Sequence, residues 1–260
     1  MKPTVLFLFN SSQYAVQPWL DDGGFNVVSV DYSDTDHSAE HREAAEGHTV
    51  LNIDLSLDCA HNSVVDSLWA LEMSQPSLVV ALPPCTDLAV CGNRSAVLKE
   101  KVNPNFREEA VQMARLAELF GVPYCIENPI SRLATLWRKP NCYWQPFEYG
   151  GYCPEGEHPE FPGYIAPQDA YPKKSCSWTG NGFIMPQKRP VEVPEGYSAQ
   201  YSKLGGKSAR TKYIRSLTPR GFAQAIYEAN RDNILSTWGT QVFTEYGTIS
   251  NQSIELEQLG

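Results

Sequence analysis

Apolar residues come along the first half of this 260-residue chain in short, nearly unbroken runs separated by amphipathic stretches. "TVLFLF" from Thr4, "FNVVSV" from Phe25, "TVLNI" from Thr49, "SLVVAL" from Ser77 and "VPYCI" from Val122 are each too short for a core helix. Such runs read as strands buried on both faces, the signature of a parallel sheet. Between them the spacing becomes helical. "YAVQPWLDDGG" predicts a short helix closed by Gly23-Gly24. "NSVVDSLWALEMSQP" predicts a helix with an apolar face at Val65, Leu68 and Trp69, ended by Pro76. "NFREEAVQMARLAELFG" predicts a long helix stopped by Gly121. The alternation predicts an α/β, Rossmann-like fold: four or five parallel strands joined by crossover helices that flank the sheet.

The pattern breaks at Pro140. From there to Ser198 prolines, glycines and aromatics dominate, which predicts a small loop-rich insertion, with "KKSCSWTGNGFIMP" as a strand returning to the sheet. "TPRGFAQAIYEANRDNILSTW" predicts a last amphipathic helix with Thr218 as N-cap and Pro219 in first position. The expected divisions are 1–139 for the sheet domain, 140–198 for the insertion, 199–238 for a basic segment and final helix, and 239–260 for a polar, partly disordered tail.

Ligands of open parallel sheets bind outside the carboxyl ends of the strands. Asp31, Asp54, Cys85 and Glu127 all fall at such ends. The stretch "LPPCT" adds a constraint of its own: Pro83 and Pro84 fix φ and cannot donate backbone hydrogen bonds, so Cys85 leaves the sheet in a defined place. A thiolate there could add to an electron-poor ring carbon, with the Glu127 carboxyl holding or delivering a proton. The plain alternative is a buried, inert thiol beside a structural acid.

Composition limits the partners. The net charge is −9, unlike the basic balance of most proteins that grip many duplex phosphates. Positive charge gathers late, at Lys203, Lys207, Arg210, Lys212, Arg215 and Arg220, a cluster that could meet phosphate or simply be solvated. Seven cysteines without regular spacing suit free thiols in a reducing compartment, and with no apolar membrane-length stretch the expected location is cytoplasmic. Cys142, Cys153, His158 and Cys176 could be weighed as zinc ligands, but they lack a close Cys-x-x-Cys pair, and no metal site is expected.

The ordered set "VLFLF", an acid after the second and third strands, "PPC", "ENP" and "YPKK", closed by "GGKS" and "GFA…EAN", resembles the cytosine-C5 DNA methyltransferases, in particular their compact bacteriophage-type group. The resemblance runs from the first strand to about Asn230. It implies the class I methyltransferase fold and S-adenosylmethionine as cofactor. By it, Cys85 would add to C6 of cytosine and Glu127 would bond N3 and the exocyclic amine, with Asn128 and Pro129 orienting Glu127. Lys173 and Lys174 would sit near the base O2 and a phosphate. Phe9 would lie beside the adenine, Asp31 would hold the ribose hydroxyls, Asp54 the adenine amine, and Pro83 would shape the pocket. Pro84, Thr86, Asn128, Arg210 and Arg215 would touch the substrate, DNA or a cytosine nucleotide.

Two features depart from that family. Its first loop is glycine-rich, whereas no glycine stands between Phe9 and Trp19 here, so either Asn10, Ser11 and Ser12 form another cradle or the cofactor site is altered. The only segments available for target recognition are the insertion and the basic stretch, which suit a free nucleotide such as dCMP or dCTP, or single strands, better than a flipped duplex base. A catalytically silent binding protein of the same fold, engaging a host defence component, is the remaining alternative.

Overall fold

The computed structural model describes residues 2–10, 12–31, 46–56, 58–85, 87–88, 93–196 and 208–257, with the backbone alone for 93–97 and 239–257. Seven strands form one sheet: β1 (Thr4–Leu8), β2 (Asn26–Asp31), β3 (His48–Asn52), β4 (Pro76–Ala81), β5 (Tyr124–Pro129), β6 (Cys142–Trp144) and β7 (Ser175–Gly180). Their spatial order is β3-β2-β1-β4-β5-β7-β6. The first five are parallel, while β7 runs antiparallel to both β5 and β6. This is a Rossmann-like sheet in which the order reverses between β1 and β4.

Strand alternation sends successive side chains to opposite faces, and both faces are covered. Leu6, Leu8, Val79, Ala81, Ile126 and Trp178 pack against α2 (Ala60–Ala70) and α4 (Phe106–Arg115). Val5, Phe7, Leu78, Val80 and Trp144 pack against Trp19 of α1 (Gln17–Asp22) and against Phe222, Ala225 and Ile226 of the last helix. Between β4 and β5 lies α3 (Asn93–Val102), which the hydrophobic pattern does not announce; a one-turn α5 (Leu133–Leu136) follows β5. The basic stretch contains a helix, α6 (Ala209–Ser216), whose N-cap Ser208 accepts from the Thr211 amide at 3.1 Å. Then comes α7 (Arg220–Glu257).

Several sequence expectations are corrected. The buried face of α2 is Ala60, Val64 and Leu68, and Trp69 is 80% exposed. Pro76 does not cap α2 but opens β4. The long helix before Gly121 is α4 followed by a 3-10 segment, Leu116–Phe120. The final helix starts at Arg220, so neither Thr218 nor Pro219 holds its expected position, and its backbone stays helical through the segment expected to be a disordered tail. Among the described residues no helix is long and apolar enough to cross a membrane.

Residues 145–174 join the antiparallel neighbours β6 and β7, so the insertion is an overgrown hairpin connection. It builds a core of its own from Phe161, Ile165, Ala166, Ala170 and Tyr171, completed by Ile214 and Leu217 of the α6 region.

Candidate functional site at the carboxyl ends of β1, β4 and β5

Open α/β sheets bind ligands where the strand order reverses, which here falls between the carboxyl ends of β1 and β4. On the β1 side the chain turns at Phe9, which takes the left-handed conformation (φ 58°) that glycine adopts freely and a bulky residue adopts at a cost of roughly 1–3 kcal/mol. The turn absent from the sequence as a glycine is therefore made by a phenylalanine. Its amide is tied to the Val30 carbonyl at 2.8 Å, and the ring is buried. Asn10 is buried as well. Its Nδ2 donates to Ser29 Oγ at 2.9 Å and its Oδ1 accepts from the Ser12 amide at 3.3 Å, so this side chain shapes the loop from within. Ser12 is buried and its Oγ has no hydrogen-bond partner among the described residues. Ser11 lies outside the described residues.

Asp31 ends β2, half-buried, and its carbonyl accepts from the Ile53 amide at 3.2 Å. Asp54 follows β3. Its Oδ1 accepts from both the hydroxyl (2.6 Å) and the amide (2.9 Å) of Ser56, and these bonds hold its carboxyl below the usual carboxylate range.

On the β4 side, the Leu82 amide donates to the Leu8 carbonyl at 3.0 Å. The exit past Pro83 is then fastened to β5. Asn128, fully buried, donates from Nδ2 to the Pro83 carbonyl at 3.0 Å, and the Arg132 amide donates to the Leu88 carbonyl at 2.8 Å. A turn closed by the Leu88 amide on the Cys85 carbonyl (3.1 Å) leaves Cys85 half-buried, with Pro84 exposed before it. Thr86 lies outside the described residues. The Asn128 amide thus holds the loop that carries Cys85.

Glu127 projects from β5 to the face that carries the insertion, as does Ser175, paired with Pro129 across the sheet. Glu127 Oε1 and Ser175 Oγ are both buried without a hydrogen-bond partner among the described residues. Buried polar atoms are nearly always satisfied, so two on one face at one strand end mark a place where a ligand group or ordered water fits. Tyr171 adds a third polar group nearby: burial, then the charges of Asp169 and Glu127, push its hydroxyl well above the ordinary tyrosine value and keep it protonated.

The remaining site expectations fall in the insertion and on α6 beside it. Lys174 is exposed and Lys173 is half-buried, its Nζ donating to the Arg215 carbonyl at 3.3 Å. Arg215 lies in the last turn of α6; Arg210, at its start, lies over the Tyr164 ring at 5.6 Å. Lys203 and Lys207 lie outside the described residues. Arg220, expected in the basic cluster, is instead ion-paired with Asp169 at 2.9 Å. The free thiols divide clearly. Burial pushes Cys125, Cys153 and Cys176 up to about 12, which keeps them protonated and inert at neutral pH. Cys142 and Cys176 face opposite sides of the sheet, and among the described residues no group of three His, Cys, Asp or Glu side chains is placed to hold a metal ion.

Sequence reading missed the polar scaffold beneath the site. Asp169 is 2% exposed and bonds Arg220 through Oδ1 (Nε at 3.1 Å, Nη2 at 2.9 Å), while Oδ2 accepts from the Arg220 amide at 2.5 Å. An acid 51 residues away thus caps α7. His158, 2% exposed, accepts at Nδ1 from the amides of Glu160 (3.3 Å) and Phe161 (3.1 Å). An imidazole that accepts at Nδ1 carries its proton on Nε2 and is neutral. Burial, then the Arg220 charge, lower its affinity for a second proton. The unfolded chain protonates near the ordinary histidine value of about 6.5, whereas the folded protein resists until lower pH. Stability from this group is therefore complete above about pH 6.5 and is lost as the pH falls through the depressed folded value. In His158→Asn, whose Oδ1 stands where Nδ1 stood and does not titrate, urea unfolding is expected to show a shallower loss of stability between about pH 6.5 and 5 than the wild type.

No family model and no curated protein matches the chain. Solved structures similar to it include a protein described as a carbonyl reductase, Sniffer, of Caenorhabditis elegans, at 17% identity and a TM-score of 0.33 over 46% of this chain and 54% of that one. They also include the Cj0485 dehydrogenase, at 14% identity and a TM-score of 0.29 over 46% of this chain and 47% of that one. The likeness spans about half the length of those proteins. The expectation of methyl transfer to cytosine C5 through a Cys85 adduct is corrected: no family model matches the chain, and the similar solved structures are described as a reductase and a dehydrogenase. The chain has a Rossmann-like α/β fold with a mostly parallel seven-stranded sheet.

Proposed function

We propose that this chain is an enzyme with a class I methyltransferase-like sheet whose β1–β4 crevice binds an adenosine-bearing cofactor, S-adenosylmethionine. The observation that carries the reading is the combination of an acid at the end of β2 with a β1 turn that has no glycine to let backbone amides approach a phosphate. Asp31 stands about 20 residues past that turn, the place from which a carboxylate accepts hydrogen bonds from ribose hydroxyls in nucleotide-binding sheets. Dinucleotide sites also need glycines, so that backbone amides approach the pyrophosphate, and a helix N-terminus aimed at it. Here the turn is made by Phe9, filled by the Asn10 side chain, and followed by a three-residue 3-10 turn, Gln13–Ala15. Such a wall suits a nucleoside with an uncharged or zwitterionic tail. Phe9, Ser12 and Pro83 would flank that ligand. Glu127 Oε1 and Ser175 Oγ, on the neighbouring strand ends, would accept from N–H or O–H groups of a second reactant.

Calorimetry with S-adenosylmethionine, S-adenosylhomocysteine, adenosine, NADH and NADPH tests this. The two adenosyl thioether or sulfonium compounds are expected to bind and the dinucleotides not. Asp31→Ala should weaken binding roughly 10- to 100-fold, the worth of a charge-assisted hydrogen bond. Uptake of NADPH with no uptake of S-adenosylmethionine would overturn the proposal.

A further inference from the structure

The β1–α1 loop, one wall of the crevice, does not rest on the sheet alone. Tyr14, in the 3-10 turn Gln13–Ala15, leaves the sheet domain and packs into the core of the insertion, beside Phe161, Tyr171 and Tyr213. Its hydroxyl donates to Glu160 Oε1 at 2.5 Å across 146 residues of sequence. The edge of its ring meets the His158 ring at 5.1 Å and 70°. His158 in turn fixes Glu160 by accepting from its backbone amide, as described above. The loop is thus held by a residue that the insertion presents and that a buried histidine positions.

From this geometry we infer that Tyr14 and Glu160 form a strap by which the insertion sets the conformation of the β1–α1 loop and, through it, the affinity of the crevice. Tyr14 is a positioning residue. It stands two residues from Ser12, whose buried Oγ has no hydrogen-bond partner among the described residues, and four from Asn10, whose side chain shapes the turn. Releasing the hydroxyl frees the 3-10 turn from a side-chain hydrogen bond to the insertion, and the loop then samples conformations in which the Asn10 and Ser12 wall loses its present shape. Affinity falls because only a fraction of molecules stays competent to bind. Since this consequence rests on the crevice reading proposed above, the test has an arm that needs no ligand.

Hydrogen exchange of amides 12–16 in the ligand-free protein is the first arm, and S-adenosylmethionine calorimetry the second. Tyr14→Phe keeps the ring and removes the hydroxyl; Glu160→Ala removes the acceptor; Glu160→Gln keeps an acceptor oxygen in place. In the first two, exchange is expected to be faster and binding about 5- to 20-fold weaker, and Glu160→Gln should restore both to within about twofold of wild type. Global urea stability, read in parallel, should change far less in Tyr14→Phe than loop exchange does. Unchanged exchange in Tyr14→Phe overturns the strap whether or not the wild type takes up the ligand. Faster exchange with unchanged affinity overturns its link to the crevice. A wild type that binds no S-adenosylmethionine overturns the crevice reading, and the exchange arm still decides the strap.

Discussion

Asp169→Ala is expected to cost about 3–5 kcal/mol of folding stability, the range for removing one partner of a buried ion pair. Three bonds go at once: two to the Arg220 guanidinium and one to the Arg220 amide. What remains is a guanidinium whose side chain is 16% exposed, with no carboxylate beside it, and an α7 N-terminus without its acceptor. Asp169→Asn keeps the shape and one acceptor oxygen, so it should lose less, about 1–3 kcal/mol. Urea denaturation with both variants checks the order. A loss below about 1 kcal/mol in the alanine variant would mean that water serves Arg220 as well as the carboxylate does, and that the joint between insertion and α7 is held by packing alone.

The second large effect is at Gly221. A Cβ there would stand 2.2 Å from the Tyr149 carbonyl oxygen and 3.2 Å from Cys153 Sγ. The first of these is backbone in the buried 3-10 segment Pro146–Tyr152, which cannot swing aside as a side-chain end could. Gly221→Ala must therefore push α7 off the insertion, and with it Phe222, whose ring stacks on Trp144 at 3.7 Å between centroids. Alanine gains helix propensity of about 1 kcal/mol over glycine, but overpacking against backbone exceeds this, and a net loss of about 2–4 kcal/mol is expected. Thermal and urea unfolding should show it together with a changed tryptophan emission. Stability within about 0.5 kcal/mol of wild type would show that the helix start can shift freely.

Both positions explain why part of the molecule was hidden in the sequence. Strands β1, β2, β4 and β5 were legible because burial on both faces demands unbroken apolar runs, and the carboxyl ends of those runs put Asp31, Cys85 and Glu127 in place. The α2 face was misread by about one residue of rotation: hydrophobicity favours Trp69, but the helix lies close to the sheet through the small Ala60 and leaves the indole outside. Asp169 gave no local signal, since its partner is 51 residues away and its neighbours look like any proline-rich loop. The left-handed turn at Phe9 gave no signal either, because phenylalanine rarely adopts it; the Phe9 amide is bonded to the Val30 carbonyl there. The bond of the fully buried Asn128 was hidden for the same reason as that of Asp169: only the spatial neighbourhood of β4 and β5 brings its amide to Pro83.

The hairpin origin of the insertion has a bearing on how this architecture changes size. Because β6 and β7 are sequential and adjacent, segments added between Trp144 and Ser175 lengthen a single bend without shifting any rung of the ladder from Tyr124↔Gly180 to Pro129↔Ser175. A lineage could enlarge or trim that bend repeatedly while the sheet beneath it stayed in register, and a protein engineer could graft a foreign loop there for the same reason.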